Sequence, residues 1–331
     1  MKKKYISLLL LAFLFVTCNQ KDAVSKDSVI YLEDEHQSDF DQWLYETFTK
    51  PYNIEVKWKW DDTEIDNSFH VTPPQKQKAR QIMEALHAIW IKPYEQEAGT
   101  EFIKTYVPKL IYLVGTPQFN QDGTKTLGLA EGGRKITLFD VDSFDNQDLD
   151  KMTKAFHTMH HEFAHILHQK IAFSTTYKDL TKGQYTGAWF NVSEVRANAR
   201  GFITPYSMSN ENEDFVEVAA TILSTVQNSN SPIQRIVPEK DDTGNVTGNL
   251  VSMNLTDFQL KLYMFGISIQ QQSNGSLRIV QEQTAPQGLN TMLKKIDMVS
   301  DYYKEVWGID LFRLQGKIEQ ATNELILQNT P

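Results

Sequence analysis

Apolar residues recur along this chain at two different periods, and the change from one to the other marks out its elements. Between residues 75 and 97, Ala79, Ile82, Met83, Leu86, Ile89 and Trp90 fall at helical spacing. They predict a helix that starts after Thr72-Pro73-Pro74 and buries one face. Residues 39–48 have the same spacing behind a candidate Asp cap, whereas Ile54-Glu55-Val56-Lys57-Trp58 alternates like a half-buried strand. Residues 109–115 and 135–141 read as strands, and residues 126–133 as a shorter one ending in the loop Glu131-Gly132-Gly133. A long helix follows at about 146–171, then helical stretches near 190–200, 213–228, 255–272 and 286–328. Residues 238–249 are rich in turn formers and read as an exposed loop or β-turn excursion. The pattern as a whole is α+β, with a small mixed sheet in the first half and a mostly helical second half.

The first residues follow neither period. Lys2, Lys3 and Lys4 precede an apolar run over residues 5–17, too short to span a bilayer as a mature helix, which reads as an export signal. Cys18 sits directly after it, and Phe15-Val16-Thr17-Cys18 resembles a loose bacterial lipobox, in which the cysteine is lipidated and becomes the new N-terminus. The plainer reading is a small apolar residue in a signal cleaved elsewhere. The expected organisation is a signal peptide at 1–17, a polar tether at 18–28 and one folded domain at 29–331. That domain divides into a sheet-containing part, 29–172, and a helical part, 173–331. Asn19-Gln20-Lys21-Asp22 has no aspartate beside the cysteine and resembles the tethers of outer-membrane and surface lipoproteins, so a Gram-negative outer-membrane location is expected, facing the periplasm or the surface.

Composition narrows the function. A chain of 331 residues that is 40% hydrophobic can bury a substantial core, and a net charge of -9 without a basic face argues against a nucleic-acid partner. With a single cysteine there is no internal disulfide. Core packing and a metal are left to hold the fold.

The metal has a place in the sequence. In His161-Glu162-Phe163-Ala164-His165 the histidines are four apart, so on a helix they share a face one turn apart and can hold one zinc ion. Glu162 is set about 100° around the helix from His161, beside the metal, where it can take a proton from water as a general base. The alternative is a helix whose histidines face solvent or are satisfied in the core. Phe156, Met159, Phe163, Ile166 and Leu167 surround the motif with apolar bulk, which suits a buried central helix. His157 and His168 lie on the same stripe and read as flanking or supporting groups, and His160 as plain surface. Only the 161/165 pair encloses a glutamate next to its first histidine.

A catalytic zinc needs a third protein ligand and an open fourth position. Glu213 is the candidate, at the start of a helix that runs through Ala219, Ala220, Ile222 and Leu223. Glu217, one turn later on the same face, can hydrogen-bond a ligating imidazole and fix its tautomer. Read without the upstream motif, Glu211, Glu213 and Asp214 are simply an acidic first turn at the positive end of a helix dipole. Tyr206 could donate to an oxyanion, or pack as an ordinary tyrosine.

The segment from Tyr206 to Glu217, Tyr-x-x-x-Asn-Glu-x-Glu-x-Phe-x-Glu, resembles the third-ligand segment of anthrax lethal factor. That resemblance implies a zinc ligand at Glu213, an oxyanion role for Tyr206 and a supporting role for Glu217. The cysteine at 18, the run His160-His161-Glu162-Phe163-Ala164-His165-Ile166-Leu167-His168-Gln169 and the later Glu213-Asp214-Phe215-Val216-Glu217 together resemble the substrate import-associated zinc metallohydrolase lipoproteins. Val216 stands where alanine is commonly seen in that family. The resemblance implies a zincin-like (glutamate-zincin) fold and an outer-membrane lipoprotein beside a TonB-dependent nutrient receptor.

The expected function is therefore a zinc peptidase acting on peptide or protein. His161, His165 and Glu213 would bind one Zn2+, Glu162 would be the base, and Tyr206, Glu217 and His168 would assist. The edge strand expected at residues 126–130 would bind extended substrate by strand addition. Two other readings stay open: a non-catalytic lipoprotein that keeps the scaffold as a binding or assembly subunit of an import complex, and a zinc carrier using the histidine stripe.

Overall fold

Two prolines inside helical stretches mark where the first two helical segments among the described residues are deformed. The structure, a computed structural model, describes residues 38–224, 235–240, 246–253, 267–271, 277–281 and 285–329. The sheet and the hydrophobic core belong to the unit Phe40–Pro331. The signal, Cys18 and the tether expected at 18–28 lie outside the described residues. Helix α1 (Asp39–Leu44) continues through a π turn at Tyr45–Thr49 into Lys50–Tyr52, and strand β1 (Glu55–Lys57) follows. Helix α2 (Lys76–Leu86) does the same through His87–Ile91 into Lys92–Ala98. Each π turn runs up to a proline, Pro51 or Pro93, whose ring removes an N–H and crowds the carbonyl four residues back. The face expected to be buried on α2 is buried.

Helix α3 (Thr100–Tyr106) leads into β2 (Leu110–Leu113), and β3 (Gln118–Phe119) and β4 (Lys125–Thr126) form a small antiparallel pair. Strands β5 (Gly128–Glu131) and β6 (Lys135–Leu138) complete a four-stranded mixed sheet in the order β1-β2-β6-β5. Pairing is parallel from β1 to β2 to β6 and antiparallel between β6 and β5. Among the described residues β5 is an edge strand of this sheet, as expected for residues 126–130 except that Thr126 belongs to β4 and pairs with Gln118.

Helix α4 (Leu149–Lys170) starts at Asp148, whose carboxylate accepts from the N–H groups of Asp150 and Lys151. It packs on β5 and β6 and against α7 (Glu211–Ser224). Met152, Phe156, Met159, Phe163, Ile166 and Leu167 are buried along it, each contributing roughly 1.5–3 kcal/mol of burial. Between α4 and α7 lie the short α5 (Thr176–Asp179) and α6 (Glu194–Ala199), so the helix expected near 190–200 is a single capped turn and a half, begun by Ser193.

The second half is mostly helical, with three departures from expectation. Residues 267–271, expected in a helix, form β9 (Ile267–Gln271), antiparallel to β10 (Leu277–Gln281). There Ile267 and Ile269 alternate with Ser268 and Gln270, a period of two that a short apolar run easily hides; residues 255–266 lie outside the described residues. The excursion at 238–249 is largely a hairpin, β7 (Arg235–Lys240) against β8 (Val246–Met253). Its turn formers concentrate at 241–245, outside the described residues, while Val246, Leu250 and Val251 favour a strand. The single helix expected at 286–328 is two, α8 (Ala285–Trp307) and α9 (Leu311–Asn329). Gly308, at φ 69, turns the chain between them in the left-handed region that ends helices. Among the described residues no helix is long and apolar enough to cross a membrane.

Candidate metal centre

The histidine face of α4 looks onto the first two turns of α7, which brings three donor atoms to one point. His161 Nε2 and His165 Nε2 stand 3.1 Å apart. Glu213 Oε2 lies 3.0 Å from the first and 3.2 Å from the second. Donors on a tetrahedral zinc with bonds of about 2.0–2.1 Å are separated by about 3.3 Å, so the three fit such an ion with little movement. Asn210 sets Glu213 in place, accepting from the N–H groups of Asn212 and Glu213 at 3.0 and 3.1 Å as the helix cap.

Around these atoms lies a layer of hydrogen bonds. His161 Nδ1 stands 2.8 Å from Glu217 Oε1, and Thr204 donates to Glu217 Oε2 at 2.7 Å. His165 Nδ1 stands 2.9 Å from His168 Nε2. Assigning the tautomers from this network, each Nδ1 carries the proton and each Nε2 keeps its lone pair for a metal. Burial holds His168 neutral by pushing its pKa down to about 4, which leaves Nε2 free to accept. Burial also opposes charge on His161, yet the carboxylates of Glu213 and Glu217 at its two nitrogens prevail and raise its pKa to about 10. The pocket is built for positive charge, and a divalent ion there would displace that proton.

Glu162 is buried beside the centre, its backbone one helical step from His161. Burial raises its pKa above the ordinary carboxylate value, partly offset by His161 and His165. β5 runs so close that a Cβ on Gly128 would lie 2.7 Å from Glu162 Oε1 and 2.7 Å from Thr158 Cγ2. Only a residue without a side chain leaves room for the carboxylate. Tyr206, in a short turn at Tyr206–Met208, holds its ring 5.9 Å from that of His161 and packs edge-on against Trp189 at 4.9 Å. Desolvation at its hydroxyl and the nearby Glu213 carboxylate raise its pKa and keep it protonated, while the residue as a whole is 36% exposed.

Two cavities open on either side of Glu162 and His161. One of about 490 Å³ includes Thr126, Gly128, His157 and Trp189, and one of about 520 Å³ includes Ala130, His165, Gln169 and Glu211. Tyr206 and Leu129 border both, so the pair forms a cleft along the β5 edge.

The structure thus brings together His161, Glu162, His165, His168, Tyr206, Glu213 and Glu217. His160 is a correction: expected at the surface, it is fully buried, because it lies one helical step from His161 on the core face. Its ring is 6.0 Å from that of Tyr94, neither nitrogen has a partner, and burial lowers its pKa to about 3. Sequence reasoning missed Thr204, Gly128 and Trp189, which carry no local signal. It also missed Asn210 as a cap, which the Asn before an acidic first turn does signal.

Residues 33–312 match the model of a family described as "Putative zinc-binding metallo-peptidase". Among solved structures, one described as a "putative zinc-binding metallo-peptidase" from Bacteroides caccae is 28% identical and covers 88% of this chain and 94% of its own, with a TM-score of 0.62. No curated protein matches the chain.

Proposed function

This chain belongs to the "Putative zinc-binding metallo-peptidase" family, whose model it matches over residues 33–312, and from that membership we propose that it hydrolyses peptide bonds with one zinc ion held by His161, His165 and Glu213. The observation that carries the proposal is the convergence of those three donors within 3.0–3.2 Å of one another. Zinc bound there would supply a Lewis acid and a water of lowered pKa, about 7. The protein's own contribution is to place and time the proton. Glu162, desolvated and above its ordinary pKa, is the base. Tyr206, kept protonated, is the donor to the oxyanion. Glu217 and His168 hold the two imidazoles in the ligating tautomer. The exposed edge of β5 offers backbone groups to an extended peptide lying in the cleft, as strand addition requires. A buried carboxylate facing both cavities favours a hydrolase over a non-catalytic binding subunit, which needs no base. We further propose a lipid anchor at Cys18 and an outer-membrane location within a nutrient-import complex, readings that rest on the sequence.

Elemental mass spectrometry of the purified chain tests the centre. We expect one zinc per chain in the wild type and its loss in Glu213→Ala. Zinc-free wild type, or zinc indifferent to Glu213, would overturn the assignment. Gly128→Ala tests the fit around the base. It should keep zinc but lower peptide turnover by about 100-fold, since a displacement of about 1 Å at a catalytic group costs that much; turnover at wild-type level would mean that Glu162 tolerates the extra methyl.

A further inference from the structure

His157, His161 and His165 follow one another at four-residue intervals on α4, and Glu213 and Glu217 do so on α7. Glu213 meets His161 and His165, while Glu217 meets His157 and His161. The second set repeats the first one helical turn away. His161 belongs to both and offers a different nitrogen to each, Nε2 toward Glu213 and Nδ1 toward Glu217. One ligand atom from each of His157, His161 and Glu217 lies within 4.8 Å of the other two, as is true of the first set.

We propose that His157 and Glu217 form a second, weaker site for a divalent transition-metal ion, and that filling it inhibits the first. The proposal rests on the reading of the first site as a zinc centre. Imidazole with carboxylate is a donor set that zinc accepts. The site is reachable, since His157, His161 and Glu217 all line the cavity of about 490 Å³ and the His157 side chain is 29% exposed.

It is weaker for two reasons. With a metal on Nε2, the Nδ1 of His161 carries a proton and cannot ligate, which leaves His157 Nε2, the Glu217 carboxylate and water. Further, Glu217 Oε1 stands 2.8 Å from both His157 Nε2 and His161 Nδ1, a hydrogen-bonded spacing shorter than the roughly 3.3 Å between donors on a tetrahedral ion. The carboxylate must open to admit the metal.

That opening carries the consequence. An ion that draws Glu217 Oε1 toward His157 takes the acceptor away from His161 Nδ1, and losing such a partner typically lowers metal affinity or activity by about 10–100-fold. Excess zinc should therefore slow the enzyme by about that factor without unfolding it.

Calorimetric titration of the metal-stripped full chain with zinc sulfate tests this. We expect a tight ion, lost in Glu213→Ala, and a second, weaker ion. In His157→Gln, whose amide can still donate to Glu217 but is a poor zinc ligand, the weak ion should vanish while the tight one remains and reports that the variant is folded. His157→Asn serves as a second variant. A single class of zinc in the wild type, or a weak class that survives both substitutions, would overturn the proposal and leave Glu217 as a hydrogen-bonding partner only. Absence of the tight class would overturn the zinc-centre reading as well, so the two failures are distinguishable.

Discussion

Glu162→Gln is expected to lower peptide turnover by about 10²–10⁴-fold while the chain retains its zinc. The substitution removes the proton acceptor and little else. Glu162 is not among the three convergent donors, and the amide has nearly the shape of the carboxylate in the tight space beside Gly128. Stability should hold or rise, because burial already opposes the ionised form of this residue. The pH profile gives a second readout. The base works only when ionised, so activity should fall as pH drops through the Glu162 pKa, which lies above the ordinary carboxylate value. In Glu162→Gln the residual activity should lack that acid limb. Zinc content, thermal unfolding and a pH–rate profile of the two proteins check these points together. Unchanged turnover with zinc retained would mean that Glu162 is not the base, whereas a wild type that holds zinc and turns over no peptide would favour the binding-subunit reading.

Lys295→Met should cost about 3–5 kcal/mol of folding stability, the usual result of leaving one charge of a buried pair without its partner. Lys295 Nζ lies 2.6 Å from Asp214 Oδ2 with both side chains fully inaccessible. The Tyr185 hydroxyl donates to the same oxygen at 3.0 Å, and the lysine lies 4.1 Å over the Phe202 ring. Burial raises Asp214 to about 6 against the pull of Lys295. Removing the lysine strands a carboxylate next in sequence to Glu213, so zinc should bind more weakly too. Denaturant unfolding at neutral pH measures the first effect and competition with a chelator the second. The pair Lys295→Met with Asp214→Leu should recover most of the loss, since a buried ion pair replaced by apolar residues of similar size is often neutral. If the single variant loses less than about 1 kcal/mol, the pair does not anchor α7.

The elements legible in the sequence were those with a long, regular period. The faces of α2 and α4, the paired spacings of His161 with His165 and of Glu213 with Glu217, and β5 at a sheet edge all follow from the residues. Short elements read less well. Ile267–Gln271 has too few residues to separate a period of two from one of 3.6, and the break at Gly308 is one residue within a continuous amphipathic pattern.

What this sequence determines by itself is which side chains share a face, because a helical period is set by hydrogen bonds between residues four apart. On that ground His161 pairs with His165 and Glu213 with Glu217; that the two pairs and Glu162 form one set was read from the His-Glu-x-x-His motif, the need for a third ligand and the family resemblance. Which nitrogen meets which carboxylate was decided only by the tertiary structure. So were the inward turn of His160, the close approach of Gly128 to Glu162, and the support of Glu217 by Thr204 and of Asp214 by Lys295. These depend on how α4, α7, α8 and the β5 edge pack against one another. Packing joins surfaces far apart in the chain through their shape and burial, and no local period carries that information.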